Sequence, residues 1–198
     1  MQFNIPEKQE SNIPELPSGT YPAVISGIWD IGIQKSDYQG EISYKHQVLV
    51  RFEVSKKIEA EGEYNGKRYA PIAWLTIPKS FSEKANLVKL FAAIFGRAMT
   101  PKDLQGLDAS TLIGKNLTIA TGLTTGGKCK VTGYSPAIDG MPPLVTELES
   151  EEPTWVAKIR ENGATAGSTG TTPKQPESDV PPVEAYGEPP APEDDLPF

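Results

Sequence analysis

The chain has 198 residues, of which 26 are acidic and 19 are basic, for a net charge of −7. Hydrophobic residues make up 37% of it, one cysteine and one histidine occur, and no run of 18 apolar residues is present. This composition excludes an internal disulfide and a Cys/His zinc site, and it argues against a membrane-spanning helix.

The charge is distributed unevenly along the chain. Residues 161–198 carry eight acidic side chains and one basic side chain, a net of −7, so residues 1–160 sum to zero. Residues 18–146 carry fifteen basic and eleven acidic side chains, a net of +4. A mildly basic body followed by a strongly acidic tail is typical of proteins that bind nucleic acids.

The first seventeen residues, MQFNIPEKQESNIPELP, predict a flexible leader. They lack a charged region followed by an apolar run, so they do not form a signal peptide. Together with the single cysteine, Cys129, this absence predicts a cytoplasmic protein.

Three strands are predicted next. Residues 19–29, GTYPAVISGIW, are rich in strand-forming side chains. Residues 46–54, HQVLVRFEV, alternate apolar and polar side chains, which predicts a strand with one buried face. Residues 68–78, RYAPIAWLTIP, predict a third strand that is irregular at Pro71, because proline has no amide hydrogen to donate.

The hydrophobic period then changes to that of a helix. The segment SFSE at 80–83 matches a capping box, and Gly96 supplies the stop. Apolar side chains recur between them at helical spacing, namely Leu87, Leu90, Phe91 and Ile94. Thr100 and Pro101 begin a second, short helical turn, since proline suits the first helical position.

Two further strands complete the pattern. They are predicted at 114–122, GKNLTIATG, and at 127–136, GKCKVTGYSP, with a turn at 123–126 between them. Simple alternation places Cys129 and Val131 on one face of the last strand. It places the polar and basic side chains on the other face, namely Lys128, Lys130, Thr132 and Tyr134.

The order of elements is therefore strand, strand, strand, helix, strand, strand. This order predicts an all-β fold with one or two helices, namely an OB-fold, a five-stranded Greek-key barrel that spans residues 18–160. Another small β-barrel, or a sheet covered by one helix, is an alternative. Phe52, Phe91 and Phe95 are assigned to the core.

Patterns that carry catalysis are scarce. His46 begins a strand without a cysteine partner or a G-x-S-x-G elbow in the chain, so it is interpreted as a surface or structural residue. The segment GGK at 126–128 lacks the spacing of a phosphate-binding loop and is interpreted as a hairpin turn. We therefore expect no enzymatic activity, no metal and no cofactor.

Basic and aromatic side chains are interleaved in the predicted barrel. Cationic groups follow phosphates while aromatic faces stack on unpaired bases, each worth about 1–3 kcal/mol, so the combination predicts binding of single-stranded DNA without sequence preference. The alternative is that these rings belong to the core and the lysines only maintain solubility. The candidate DNA-binding residues are Lys35, Tyr38, Tyr44, Lys45, Arg51, Lys67, Arg68, Tyr69, Trp74, Lys128, Lys130 and Tyr134.

Residues 161–198 are rich in Pro, Gly, Ser, Thr and Glu and contain few large apolar side chains. Such a segment cannot bury enough surface to offset the ordering of its backbone, about 1–2 kcal/mol per residue. We predict a disordered, semi-extended arm that ends in EDDLPF.

The terminal EDDLPF resembles the acidic tip of bacterial single-stranded DNA-binding proteins, which is a run of aspartates followed by an aliphatic residue, proline and phenylalanine. One aspartate of the usual run is a glutamate here, and leucine stands where isoleucine is common. In that family the tip recruits enzymes of replication, recombination and repair. The resemblance assigns partner binding to Asp194, Asp195, Leu196, Pro197 and Phe198.

The body is similar to a group of single-stranded DNA-binding proteins encoded by bacteriophages, in the runs GTYPAVISGIWDIG, SFSEKANL and LIGKNLTI. The resemblance implies a non-enzymatic protein in the cytoplasm of a bacterial host, which coats single-stranded DNA and recruits enzymes through its tip. Bacterial members are commonly tetramers, and the sequence leaves homo-oligomerisation open.

Two other functions remain as alternatives. The barrel could be an adaptor that binds protein partners, with the acidic tail as a docking peptide or a DNA mimic. It could also be an accessory domain of a nuclease or ligase, which would require a metal site that the sequence does not indicate.

Overall fold

The computed structural model describes the backbone of residues 14–38 and 41–168 and the side chains of residues 14–36 and 41–163. The leader up to position 13 lies outside the described residues. So do the tail from position 169 and the tip residues Asp194, Asp195, Leu196, Pro197 and Phe198.

The fold is mostly β, as predicted, and it is built on an open five-stranded antiparallel sheet in the order β3-β2-β1-β4-β5. Two long strands and three short ones form it. They are β1 (Gly19–Tyr38), β2 (Glu41–Val54), β3 (Ile72–Thr76), β4 (Asn116–Leu123) and β5 (Cys129–Pro136).

Strand β1 takes part in two ladders. Its residues 19–24 pair with β4, and its residues 23–38 pair with β2. The register with β2 shifts between Ile25 and Gly27 and again between Asp30 and Gly32. Such bulges bend a strand and increase its twist. At the second shift Gly32 has φ of 70°, and its amide donates to the Asp30 carboxylate at 2.7 Å.

The main core lies on one face of this sheet. Strand β2 is buried on both faces rather than on one as predicted, since Leu49 and Glu53 are completely buried on the face opposite the main core. The predicted core-facing positions are confirmed, because Val50, Phe52 and Val54 are completely buried on the core face. They pack with apolar side chains of β1, β3 and β4 and with helix α1 (Asn86–Phe95). Strand β3 starts directly after Pro71, as the missing amide of that proline predicts.

Helix α1 ends where the sequence predicted but begins later than predicted. The capping box proposed at 80–83 is wrong, since the helix begins at Asn86 and Ala85 stands at its N-cap without a side-chain hydrogen bond. The stop at Gly96 is confirmed by its left-handed φ of 64°. Phe91 is buried as predicted, but Phe95, in the last helical position, is 42% exposed and is not a core residue.

The short helix α2 (Pro101–Leu104) begins where Thr100 and Pro101 predicted it. The Thr100 amide and hydroxyl donate to the Asp103 carboxylate at 2.8 and 2.7 Å. Arg97 pairs with the same carboxylate at 2.7 Å, and these bonds hold the pKa of Asp103 far below its ordinary value. One turn of 3₁₀-helix, Ala109–Leu112, leads on to β4.

A bulge in β5 changes the predicted faces of that strand. Ala120 lies opposite Gly133, whereas Thr121 lies opposite Val131, so Thr132 is an extra residue in the ladder. The alternation reverses after it, and Tyr134 joins the core face with Val131. Its ring lies 6.0 Å from that of Phe52, and burial raises the pKa of Tyr134 to about 12.

A third helix, α3 (Thr154–Ser168), was not expected from the sequence. It crosses position 160, where the predicted domain ended and the predicted tail began. Val156 and Ile159 pack on Trp29, Ile31 and Leu49, a small second cluster on the sheet face opposite the main core.

The last residues of the predicted leader pack against the body. Leu16 is 2% exposed. The Glu15 carboxylate accepts hydrogen bonds from the Cys129 amide at 2.9 Å and from Lys128 Nζ at 3.0 Å, and these bonds lower its pKa. Segment 14–17 is thus joined to β5.

Within the described ranges, none of the helices is both long and apolar enough to cross a membrane.

Candidate nucleic-acid interface

The β1–β2 hairpin extends beyond the rest of the sheet. Strand β3 pairs with β2 only over residues 47–51, so residues 33–38 and 41–46 form a two-stranded ribbon. Lys35 lies opposite Tyr44, which is 45% exposed. Ile33 and Ile42 on the same side are each 54% exposed, and Lys45 projects from the other side. The ribbon therefore presents two cations and three large apolar side chains.

Tyr38 is the last residue of β1, and its backbone pairs with Glu41 at the tip of the ribbon. The side chain of Tyr38 lies outside the described residues, so its predicted stacking role stays a prediction.

A cross-strand row of side chains lies on the sheet face opposite the main core. Trp29 is opposite Leu49, and Leu49 is opposite Trp74. Trp74 stands on the edge strand β3 and is 52% exposed. Trp29 is 6% exposed, since α3 covers it and the ring of Trp155 meets it edge-on at 6.4 Å. One end of the row is thus open to stacking and the other end is covered.

Arg51 lies on the same face beside this row. Its guanidinium lies 5.0 Å from the centre of the Trp29 ring, and its Nε donates to the Ser26 hydroxyl at 3.0 Å. Its Nη2 donates to the carbonyl oxygens of Ser26 and Glu149. Partial burial lowers the pKa of Arg51, and the charge of Glu53 opposes that shift. Arg51 is therefore bound within the protein.

The segment 144–149, which we call the strap, crosses this face before α3. The Leu144 amide donates to Asn116 Oδ1 at 2.7 Å, and Asn116 Nδ2 donates to the Leu144 carbonyl at 3.0 Å. The amides of Glu147 and Leu148 donate to the completely buried Glu53 carboxylate at 2.8 and 3.0 Å. Hydrogen bonds to β2 and β4 thus fix the strap.

Arg68 is also bound by the strap. Its Nη1 donates to the Val145 carbonyl at 2.7 Å, and its Nε lies 3.1 Å from the Glu147 carboxylate. The neighbouring Lys67 is exposed and lies over the ring of Tyr64 at 5.1 Å.

Lys128 and Lys130 stand at the opposite end of β1 from the ribbon. The turn between β4 and β5 adjoins Gly19 at the start of β1, because Gly19 pairs with Thr121. Both lysines are exposed, and Lys128 is paired with Glu15. They belong to a separate part of the surface.

Two predicted stacking residues are withdrawn. Tyr69 is 8% exposed and packs in the main core, and Tyr134 packs there after the β5 bulge. Tyr69 is buried and Tyr134 is partly buried against Phe52, so we no longer assign base stacking to either ring. The exposed candidates that the structure places on the ribbon and the adjoining β3 edge are Lys35, Tyr44, Lys45 and Trp74.

Sequence reasoning missed the residues that cover the second face. Val156 and Ile159 follow Pro153 at helical spacing and could have predicted α3. The strap offered no such signal, since most of its bonds come from backbone groups.

His46 is an exposed residue of β2 and lies in the ribbon opposite Ile33. Its Nε2 is 2.7 Å from Asp30 Oδ1. Partial burial raises the pKa of Asp30, but the Gly32 amide and His46 outweigh it and lower the pKa overall. The pair fits a structural role at the bulge. In the part of the chain that the structure describes, no group of three or more His, Cys, Asp or Glu side chains is arranged to hold a metal ion.

The chain matches no known family model and no curated protein.

Proposed function

We propose that this chain is a non-enzymatic single-stranded DNA-binding protein of the OB-fold class, and that it coats single strands during replication, recombination or repair. The topology supports this class. An OB barrel contains a β1-β2-β3 meander, a helix between β3 and β4, and a β4-β5 hairpin that joins β1. The observed sheet has each of these connections, and α1 contacts β3, β4 and β5.

The observation that carries the binding proposal is the exposed set on the ribbon and the β3 edge. Trp74 on the edge strand β3 is half-exposed, and a base can stack on its open face. On the neighbouring ribbon Lys45 projects from the face that carries Trp74 and Lys35 from the other side, and both are exposed cations that phosphates can contact. The combination of flat aromatic faces with flexible ammonium groups suits an unpaired strand of any sequence.

The proposed recruiting element is the C-terminal tip. Its sequence resembles the tip of bacterial single-stranded DNA-binding proteins. The disordered arm predicted from the sequence would raise the local concentration of a bound enzyme without fixing its orientation.

Titration with oligo(dT) tests the proposal. The full chain and a chain that ends at Ser168 are titrated at low and high salt, since a cut at 160 would remove part of α3. We expect both to bind, with log K falling against log salt by about 0.7 per phosphate neutralised. The shorter chain should bind more tightly at low salt, because it lacks most of an acidic segment that competes with DNA. Equal affinities would contradict that competition.

The alternative is an adaptor whose sheet binds a protein. Quenching of tryptophan fluorescence by oligo(dT) separates the two functions, because only stacking on DNA predicts it. Trp74→Phe should remove most of the quenching, whereas Trp155→Phe serves as the control on α3. Folded protein that shows neither quenching nor binding at low salt would overturn the DNA proposal and favour the adaptor.

A further inference from the structure

Arg51 and Arg68 already bind oxygen atoms of the chain itself. Arg51 donates to the Glu149 carbonyl, and Arg68 binds the Val145 carbonyl and the Glu147 carboxylate. Guanidinium groups favour such acceptors as they favour phosphate oxygens. The strap thus presents a line of acceptors to two cations on the second face of the sheet.

The strap is attached through polar bonds and only weakly through buried apolar surface. Val145 is 74% exposed and Leu148 is 39% exposed. Its fixed points are instead the hydrogen bonds to the side chains of Glu53 and Asn116. Lifting the strap would therefore change the exposure of its own apolar side chains little, and water would satisfy both its free amides and the Glu53 carboxylate.

The groups beside the strap are those that a nucleotide requires. The Arg51 guanidinium lies over the Trp29 ring, which α3 covers, and the exposed aromatic side chain at the other end of the same row is Trp74. Cations beside aromatic faces bind the phosphate and the base of a single strand.

We propose that the strap occupies the path of the sugar-phosphate backbone, and that single-stranded DNA displaces it to reach Arg51 and Arg68. The inference rests on the proposed DNA-binding function and adds a regulatory step to it. Four carboxylates follow one another closely here, at Glu147, Glu149, Glu151 and Glu152. The strap and its continuation thus carry negative charge, as the displacing strand does.

Hydrogen–deuterium exchange of the full chain tests displacement directly. The amides of Glu147 and Leu148 are protected by the buried Glu53 carboxylate. Saturating oligo(dT) should abolish their protection, while the amides paired between β1 and β4 should stay protected. If DNA binds and the two amides stay protected, the strap is a permanent part of the fold and the inference is wrong.

A pair of variants tests the competition. Glu147→Gln removes the ion pair with Arg68, whereas Glu151→Gln makes the same charge change in an exposed neighbour. An ion pair of this kind is worth up to about 1 kcal/mol, so Glu147→Gln should tighten oligo(dT) binding about two- to fivefold more than Glu151→Gln does. Equal effects of the two changes would show a response to net charge alone and would overturn the inference.

The same set of proteins separates the two proposals. Failure of both the unmodified chain and Glu147→Gln to bind oligo(dT) at low salt would overturn the proposed function and this inference together. Binding by Glu147→Gln alone would support both proposals.

Discussion

On one face of the sheet, Val50, Phe52 and Val54 are completely buried beneath α1, whereas on the other face Arg51 and Glu53 of the same strand bind the strap. The first face is closed by apolar contacts, whereas the part of the second face around Arg51 and Glu53 is closed by hydrogen bonds to a backbone segment. Apolar burial carries most of the folding free energy, while a polar contact can be exchanged for another of similar strength. Strand β2 thus contributes one face to the main core, which stays closed, and its other face to the strap, which DNA can displace.

The largest effect is expected from a change on the core face. Phe52→Ala should lower the free energy of unfolding by about 3–5 kcal/mol, because it leaves a cavity beneath α1 and beside Tyr134. Trp74→Ala on the open edge should change it by less than about 1 kcal/mol. Urea denaturation of the two variants measures both values, and similar losses would break the distinction between the faces.

The next largest effect is expected at the hydrogen bonds between Glu53 of β2 and the strap. Glu53→Gln keeps the shape of the side chain but replaces one of two acceptor oxygens by an amide group. We expect a loss of about 1–3 kcal/mol in the free energy of unfolding, since a buried amide of the strap then loses its partner. Exchange at Glu147 and Leu148 should rise more than exchange in β1. Glu83→Gln, which makes the same charge change in an exposed side chain, is the control.

Burial of Tyr134 on the core face also predicts that the free energy of unfolding falls at alkaline pH. The pKa of Tyr134 is raised to about 12 by burial, so the folded state favours the neutral phenol. Its contribution to stability is complete below the ordinary pKa of about 10 and is lost as the pH rises towards 12. The free energy of unfolding should fall by on the order of 2 kcal/mol over this window in the unmodified chain. Tyr134→Phe should show a smaller fall, and identical curves would contradict the burial of this ring.

The smallest effect is expected at α3. A Cβ atom on Gly163 would lie 2.7 Å from the Ile33 carbonyl oxygen, which is backbone and cannot turn aside. Gly163→Ala should therefore lift α3 from the ribbon, although alanine favours a helix by about 1 kcal/mol. Asn162→Ala changes the exposed neighbour and should leave the helix docked. Acrylamide quenching of Trp155 distinguishes them, and equal quenching would show that the close approach does not matter.

Regular alternation and turn chemistry could be predicted from the sequence. The buried face of β2, the stop at Gly96 and the start of α2 follow from short-range patterns, and the structure has each of them. These features depend on residues within a few positions of one another, so one segment contains enough information to specify them.

Features that depend on a partner strand could not be predicted. The extra residue Thr132 reverses the faces of β5, and no local pattern marks it, so Tyr134 was assigned to the wrong side. The strap was missed because Glu53 recognises its amides rather than its side chains.

The reactivity of Cys129 depends on the attachment of segment 14–17 to β5. The chain has one thiol, it is half-buried, and its pKa is raised by burial and by the nearby charge of Glu15. Thiolate is the form that reacts with alkylating agents, so the closed state reacts slowly. Release of segment 14–17 from β5 would remove the Glu15 carboxylate from the Cys129 amide and with it one cause of the raised thiol pKa. We therefore expect Cys129 to be alkylated faster in Glu15→Gln than in the unmodified protein.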